Sequence, residues 1–388
     1  MARSLNTLSS MIIAVAALVL GAQAAFAAEP NTNLELDQNA LELAWSFDTG
    51  KPFNIAPTVG DGKAFVIPVD GYLHAFNAET GHLDWTYDPE EGLWDRGLSV
   101  HGEQLIVCHK DGAVAALNTA DGAVQWKTDL GINCQRPHHV NGDTVYVSTT
   151  FVGPGLPADP LTGATLFALD LHNGQVKWKL KTNDFLLQTA NSRDGVVYLA
   201  GSFFDPEFKK DDGGPARYYA IDQATGKVKW TYANEDGTPK AIIPTEKLLL
   251  FVAYEDFIQG LDKDTGELVW KRDTGNWTPG MVADDKNVYF GVATTIVHSW
   301  TIDGENMNWK FNIPGQKFDY LLIRPMIEGD RLYFMSQRGF VYGLYKDTGK
   351  QIFRYETGMK SRVGLSSGYG HLYMNDSKGK VYGYKILK

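Results

Sequence analysis

Long apolar runs are missing from this chain once its first 27 residues are passed. No later stretch approaches the roughly 20 consecutive apolar residues that a membrane-spanning helix requires, and the early one, Met11 to Leu20, is itself too short. Arg3 stands ahead of that stretch and Ala25-Phe26-Ala27 closes it with small residues, the pattern of a secretory leader. Residues 1–27 are therefore expected to be a cleaved signal peptide, 28–40 an N-terminal extension, and 41–388 a single folded domain. Basic runs are missing too. The formal charge is −10, and −11 once Arg3 has left, which disfavours nucleic acid and anionic lipid as partners. Cysteine is nearly absent: Cys108 and Cys134 are the two in the chain, and in an oxidising compartment they are expected to pair. Neither lies near the cleavage site to accept a lipid, so the expected location is periplasmic, and not as a lipoprotein. A nucleophile elbow, a phosphate-cradling glycine loop and a metalloprotease helix are all lacking.

What is present is one phrase in many copies: aromatic, Ala or Gly, Leu or Ile, Asp or Asn, a turn with Gly, then Trp. It reads YLHAFNAETGHLDW to Trp85, AVAALNTADGAVQW to Trp126, TLFALDLHNGQVKW to Trp178, RYYAIDQATGKVKW to Trp230 and FIQGLDKDTGELVW to Trp270. Looser copies end at Trp309 and Phe353, and an orphan ending, LELAW, stands at Trp45. The spacings of 40, 41, 52, 52, 40, 39 and 44 residues suit one four-stranded blade each. Within a repeat the apolar residues alternate between Gly, Asp and Asn, which is the pattern of strand, turn, strand. After Phe353 there is material for three strands, near Ser361 to Ser367, His371 to Asn375 and Lys380 to Ile386, and Leu41 to Asp48 supplies a fourth. The expected fold is all-β: an eight-bladed β-propeller of four-stranded antiparallel blades, its last blade closed by pairing of N- and C-terminal strands. A ring removes the raw edges that an open array would expose.

The phrase A-x-D-x-x-T-G-x-x-x-W resembles the repeat of the PQQ-like propellers, a family that includes quinoprotein alcohol and methanol dehydrogenases and the outer-membrane assembly lipoprotein BamB. The resemblance covers Leu41 to Lys388. The dehydrogenases it points to hold a quinone beneath two adjacent cysteines and above a tryptophan, beside calcium and a catalytic aspartate. Here the two cysteines are not adjacent, and Trp277, in the run Thr274 to Gly280, is the element that matches. BamB is similar in length and blade count, but its lipid-bearing cysteine and its partner-binding loop of Leu and Arg have no counterpart. The resemblance implies a BamB-like binding or scaffold protein with no cofactor, monomeric or part of an envelope complex. The alternative it implies is a periplasmic oxidoreductase dependent on PQQ with calcium, or on a metal.

If the innermost strand A of each blade starts on the upper face, the B–C and D–A connections lie above and the A–B and C–D turns below. The two 52-residue spacings then place their extra residues, Phe151 to Thr165 and Ser202 to Arg217, in B–C connections on that one face. The starts of the inner strands bring Arg96, Arg136, Gln188, Lys240, Arg324 and Arg362 to the same mouth, with Trp94, Phe185, Trp277 and Tyr320 close by. Arginines gathered there suit an envelope protein partner or a small anionic ligand, because the guanidinium forks onto carboxylate, sulfate or phosphate. The competing expectation is that they bridge blades by pairing with Asp95, Asp184 and Asp319. His109, His138 and His139 stand near the cysteines, but the spacing matches no zinc or copper pattern and neighbouring histidines on a strand point apart. No metal site is expected from them. Asp262 to Glu267 reads as a repeat turn, since the later glutamate of a calcium loop is missing.

Overall fold

The two middle strands of a blade are apolar throughout, and the outer strand alternates. In the second blade Gln104–His109 and Ala113–Asn118 are buried almost end to end, whereas Val124–Asp129 buries Trp126 and exposes the residues before it. Middle strands are covered on both faces by neighbouring blades, and an outer strand meets water. The computed structural model describes residues 35–134, 136, 138–150, 163–202, 215–234, 237, 241–253, 256–292, 295–313, 324–360 and 363–388.

Eight antiparallel sheets follow one another along the chain, at 58–87, 93–129, 139–181, 186–234, 241–273, 281–312 and 326–356, with the eighth built from 365–386 and 41–48. Each runs A, B, C, D from the centre outward, and inner strands of neighbouring blades touch at junctions such as those of blades 1 and 2, 4 and 5, and 8 and 1. In blade 4 the inner strand is split into Leu186–Leu187 and Asn191–Arg193. The eighth blade joins Leu365–Gly368, His371–Asn375 and Lys380–Ile386 to Leu41–Asp48, with Leu41 opposite Ile386 and Asp48 opposite Lys380. The closure read from the repeats is the closure observed. No helix among the described residues is long and apolar enough to cross a membrane.

The tryptophans do more than wedge between sheets. Each ring lies against the C–D turn of the following blade: a Cβ on Gly122 would stand 2.7 Å from Trp85, and one on Gly174 2.4 Å from Trp126. Except in Trp270, whose indole nitrogen is buried without a partner, the indole N–H donates to a carbonyl of that turn, as from Trp85 to Thr119 (2.9 Å) and from Trp126 to Leu171 (2.8 Å). Glycine in the phrase therefore meets two demands, a φ near +70° and room for the neighbour's indole. The small residue of the phrase has the same origin: Ala116 sits cross-strand from Trp126, and Gly383 from Trp45. Phe353 departs from the rule for a legible reason. The blade after it is split between the chain ends and has no C–D turn to offer a carbonyl, and Phe353 packs instead against Ala40, Leu41 and Tyr384.

Candidate functional site at the upper mouth

The B–C and D–A connections share one face, and the upper mouth is built where the D–A connections enter the inner strands. Their first residues are clamped to the B–C turn of the same blade by a threonine that the repeat reading passed over. Thr274 donates to the Asp256 carbonyl at 2.8 Å, Thr357 to Gly339 at 2.7 Å, Thr182 to Ala164 at 3.1 Å and Thr49 to Gly379 at 2.9 Å. The signal was available as Thr-Gly just past the outer strand in three of these four connections. Both long B–C connections belong to this face: one leaves Thr144–Ser148 for Thr165–Asp170, the other Val196–Ser202 for Ala216–Asp222. Residues 151–162 and 203–214 within them lie outside the described residues.

Arg96, Arg136 and Gln188 stand in one register on three consecutive blades. Each lies three residues before Ser99, His139 and Asn191, which pair with Ile106, Tyr146 and Tyr198. Arg324 is one residue out of that register, two before Met326, which pairs with Tyr333. It rests on blade 6, where a Cβ on Gly280 would come 3.0 Å from its own Cβ. Arg324 is exposed, and desolvation by the surrounding protein lowers its pKa. Arg96 is exposed and Arg136 half-buried. Burial first, and the charge of Arg96 second, lower the Arg136 pKa, so the two guanidiniums repel across the blade boundary. Lys240, Arg362, Asp319 and Tyr320 lie outside the described residues.

The carboxylates expected to pair with these arginines make their contacts with other groups. Asp95 accepts from the Asn54 amide at 2.6 Å. Asp184 is fully buried, takes the Tyr219 hydroxyl at 2.5 Å and has Arg217 at 3.9 Å; its burial pushes its pKa up. Among the described residues, Arg96, Arg136 and Arg324 make no ion pair, so the structural-bridge expectation fails for Asp95 and Asp184. The aromatic candidates separate as well. Trp94 and Trp277 share a register, five residues before Ser99 and Val282, on blades 2 and 6, half the ring apart. Trp94, however, packs into the cluster around Cys108 and Cys134. Trp277 is half-buried in its D–A connection, as is Phe185 in its own.

Cys108 and Cys134 are joined in a disulfide with Cα atoms 5.8 Å apart, and both are fully buried. The three nearby histidines go three ways. His109 Nδ1 meets Glu91 at 2.7 Å, His139 Nε2 meets Ser192 at 2.7 Å, and His138 is buried with its pKa lowered to about 4 by desolvation. Glu91, His109 and Asp111 gather their ligand atoms closely, but the Lys127 ammonium fills the cluster, 2.6 Å from Glu91 and 3.3 Å from Asp111. Its hydrogen bond holds the Glu91 carboxyl at about 2. Asp262 caps its own turn through the amides of Asp264 and Thr265. The residues described do not fit the quinone holder implied by the dehydrogenase resemblance. Its lid needs two adjacent cysteines, and here the sulfurs are committed inside a blade interface.

The fold defines the class: an eight-bladed propeller of PQQ-type repeats, in which Arg96, Arg136 and Arg324 make no ion pair among the described residues. The family model described as outer membrane protein assembly factor BamB matches residues 14–130, 110–252 and 255–388, and the chain belongs to this family. The BamB of Bordetella pertussis is 23% identical over 82% of this chain and 80% of its own length. The quinohemoprotein alcohol dehydrogenase ADH-IIG of Pseudomonas putida is 25% identical over 81% of this chain, which spans only 45% of that longer protein. Among solved structures, BamB from Moraxella catarrhalis superposes with a TM-score of 0.65 at 20% identity, covering 89% of this chain and 98% of its own; this likeness is one of fold.

Proposed function

We propose that this chain is an exported, non-catalytic binding or scaffold propeller of BamB type that acts in the cell envelope. It uses the face bearing the B–C insertions and the basic mouth to hold a partner protein or an anionic ligand. The observation that carries the reading is that Arg96, Arg136 and Arg324 at that mouth make no ion pair among the described residues. Arg96 and Arg136 repel one another, and a bound anionic group would offset that cost. The length match to the assembly factors supports it further.

The test is co-purification of the mature protein with outer-membrane assembly proteins from detergent-solubilised envelopes, compared with an Arg96→Ala/Arg136→Ala variant. Loss of the partner in a folded variant is the expected result. Unchanged binding would make the arginines structural. The likeness to quinohemoprotein alcohol dehydrogenase favours a second reading, an oxidoreductase with its cofactor in the same mouth. A PQQ-dependent absorption band, with dye reduction by an alcohol when PQQ and calcium are added, would establish it over the first.

A further inference from the structure

The site just described narrows to one pair of residues and one fixed covalent support. On blade 2 the pairing of the inner strand with Gln104–His109 jumps from Leu93 opposite His109 to Leu98 opposite Val107. Trp94 to Gly97 thus bulge out across from Cys108, and the bulge carries Arg96. Cys108 is bonded to Cys134, two residues before Arg136. The bulge is pressed onto this same junction: a Cβ on Gly97 would stand 2.5 Å from the Cys108 Cβ and 3.2 Å from the Cys134 carbonyl oxygen. One disulfide therefore ties the backbone of both arginines to a single fully buried point. Among the described residues no ion pair at the junction offsets the charge. Asp95 accepts from the Asn54 amide and pairs with neither arginine, and His138 beside Arg136 stays neutral near pH 7.

Two arginines on adjacent blades whose backbones are tied to one buried disulfide suit a group that brings two negative charges and several acceptor oxygens. A monocarboxylate would leave one charge unmatched. We propose that Arg96 and Arg136, held together by the Cys108–Cys134 disulfide, form a dianion subsite that takes a phosphate-type tetrahedral oxyanion, with the disulfide as its positioning element. This rests on the reading of the upper mouth as a binding surface. Free phosphate and the phosphate of a lipid or nucleotide headgroup share the recognised chemistry.

The experiment is calorimetric titration of the full mature chain with inorganic phosphate, with acetate, and with vesicles of zwitterionic lipid containing a phosphomonoester lipid. Phosphate is expected to bind saturably and acetate about tenfold more weakly, since it forms fewer charge-assisted hydrogen bonds. Response to the vesicles, but not to phosphate, would assign the source to a headgroup and uphold the subsite if Arg96→Gln/Arg136→Gln abolishes it. That double variant should lose phosphate binding by about tenfold or more, while Lys179→Gln, exposed on the outer strand of blade 3, leaves it within about twofold. Lysine at both positions keeps the charge but not the fork, and should restore only part of the affinity.

Cys108→Ser/Cys134→Ser should weaken phosphate several-fold, and adding Arg136→Gln should then improve the stability of that variant more than it does in the disulfide-bonded protein. A disulfide that merely shortens a loop would give additive effects. The dianion assignment is read from the arginine variants alone, so it stands or falls even if the cysteine variant does not fold. Equal binding of acetate and phosphate, or phosphate binding untouched by Arg96→Gln/Arg136→Gln, overturns the proposal. Partner co-purification that still depends on the arginines would in that case leave the proposed function standing.

Discussion

The two rims of the ring treat several of their cations differently. On the lower rim three cations of the A–B and C–D turns, Arg193, Lys263 and Lys346, are matched across blades. Arg193 of blade 4 forks onto Asp285 of blade 6 at 2.8 and 3.1 Å, and Asp285 also accepts the Glu246 amide of blade 5. Lys346 of blade 7 reaches Asp284 of blade 6 at 2.7 Å, and Lys263 of blade 5 reaches Asp194 of blade 4 at 3.4 Å. On the upper rim Arg96, Arg136 and Arg324 have no such partner among the described residues. A scaffold that places a carboxylate opposite Arg193, Lys263 and Lys346 below, and none within ion-pair distance of Arg96, Arg136 and Arg324 among the described residues above, has separated holding the ring together from meeting a ligand.

Identical substitutions on the two rims give the largest contrast. Gly174 and Gly131 both have positive φ, 71° and 65°. A Cβ at Gly174 would lie 2.4 Å from Trp126 and 2.5 Å from the Thr128 hydroxyl, while at Gly131 nothing lies within 4 Å. Gly174→Ala is expected to cost about 2–4 kcal/mol, adding overpacking to backbone strain, against about 1 kcal/mol for Gly131→Ala. Chemical denaturation measures both, and equal losses would refute the role of the lower rim as the seam. Next in size come the charges. Asp285→Asn should cost about 1 kcal/mol, the order of a partly exposed ion pair. Arg136→Gln should be neutral or stabilising by up to about 0.5 kcal/mol, because it removes a repelled charge. Destabilisation by Arg136→Gln as large as that by Asp285→Asn would show the upper arginines to be structural.

The ring was legible in the sequence because each blade repeats the same local demands: alternation, an Asx turn, a glycine, a tryptophan. Closure was legible for the same reason, since Leu41–Asp48 is recognisably a stray fourth strand. What stayed hidden depends on contacts between different repeats. The ring of Trp126 against Gly174 joins residues of two blades, so each looked explicable within its own repeat. Asp95 sits next to Arg96 in the chain and was a natural partner for it, but Asn54 of the preceding connection takes it. Asp184 is likewise claimed by Tyr219 and Arg217, 33 and more residues away. Trp94 was expected beside the mouth, and its packing against the disulfide cluster follows from a bulge that no residue in the sequence announces.

The smallest expected effect separates the rims by the sign of a slope. Arg193 lowers the Asp285 pKa below the ordinary 3.8 through its hydrogen bonds, so ionised Asp285 contributes stability above the unfolded pKa and loses it as pH falls through the lower folded value. Burial raises the Asp184 pKa above 3.8. Asp184 therefore costs stability once pH exceeds the unfolded value, and the full cost is present above the folded one. Relative to the parent, Asp285→Asn should become progressively less stable as pH rises from about 3 to 5. Asp184→Asn should move the other way over the window above about 4, gaining on the parent as its charge becomes harder to bury. Thermal melts of the three proteins across that range would read both slopes, and parallel curves would mean that Asp184 is compensated at the upper face as fully as Asp285 is below.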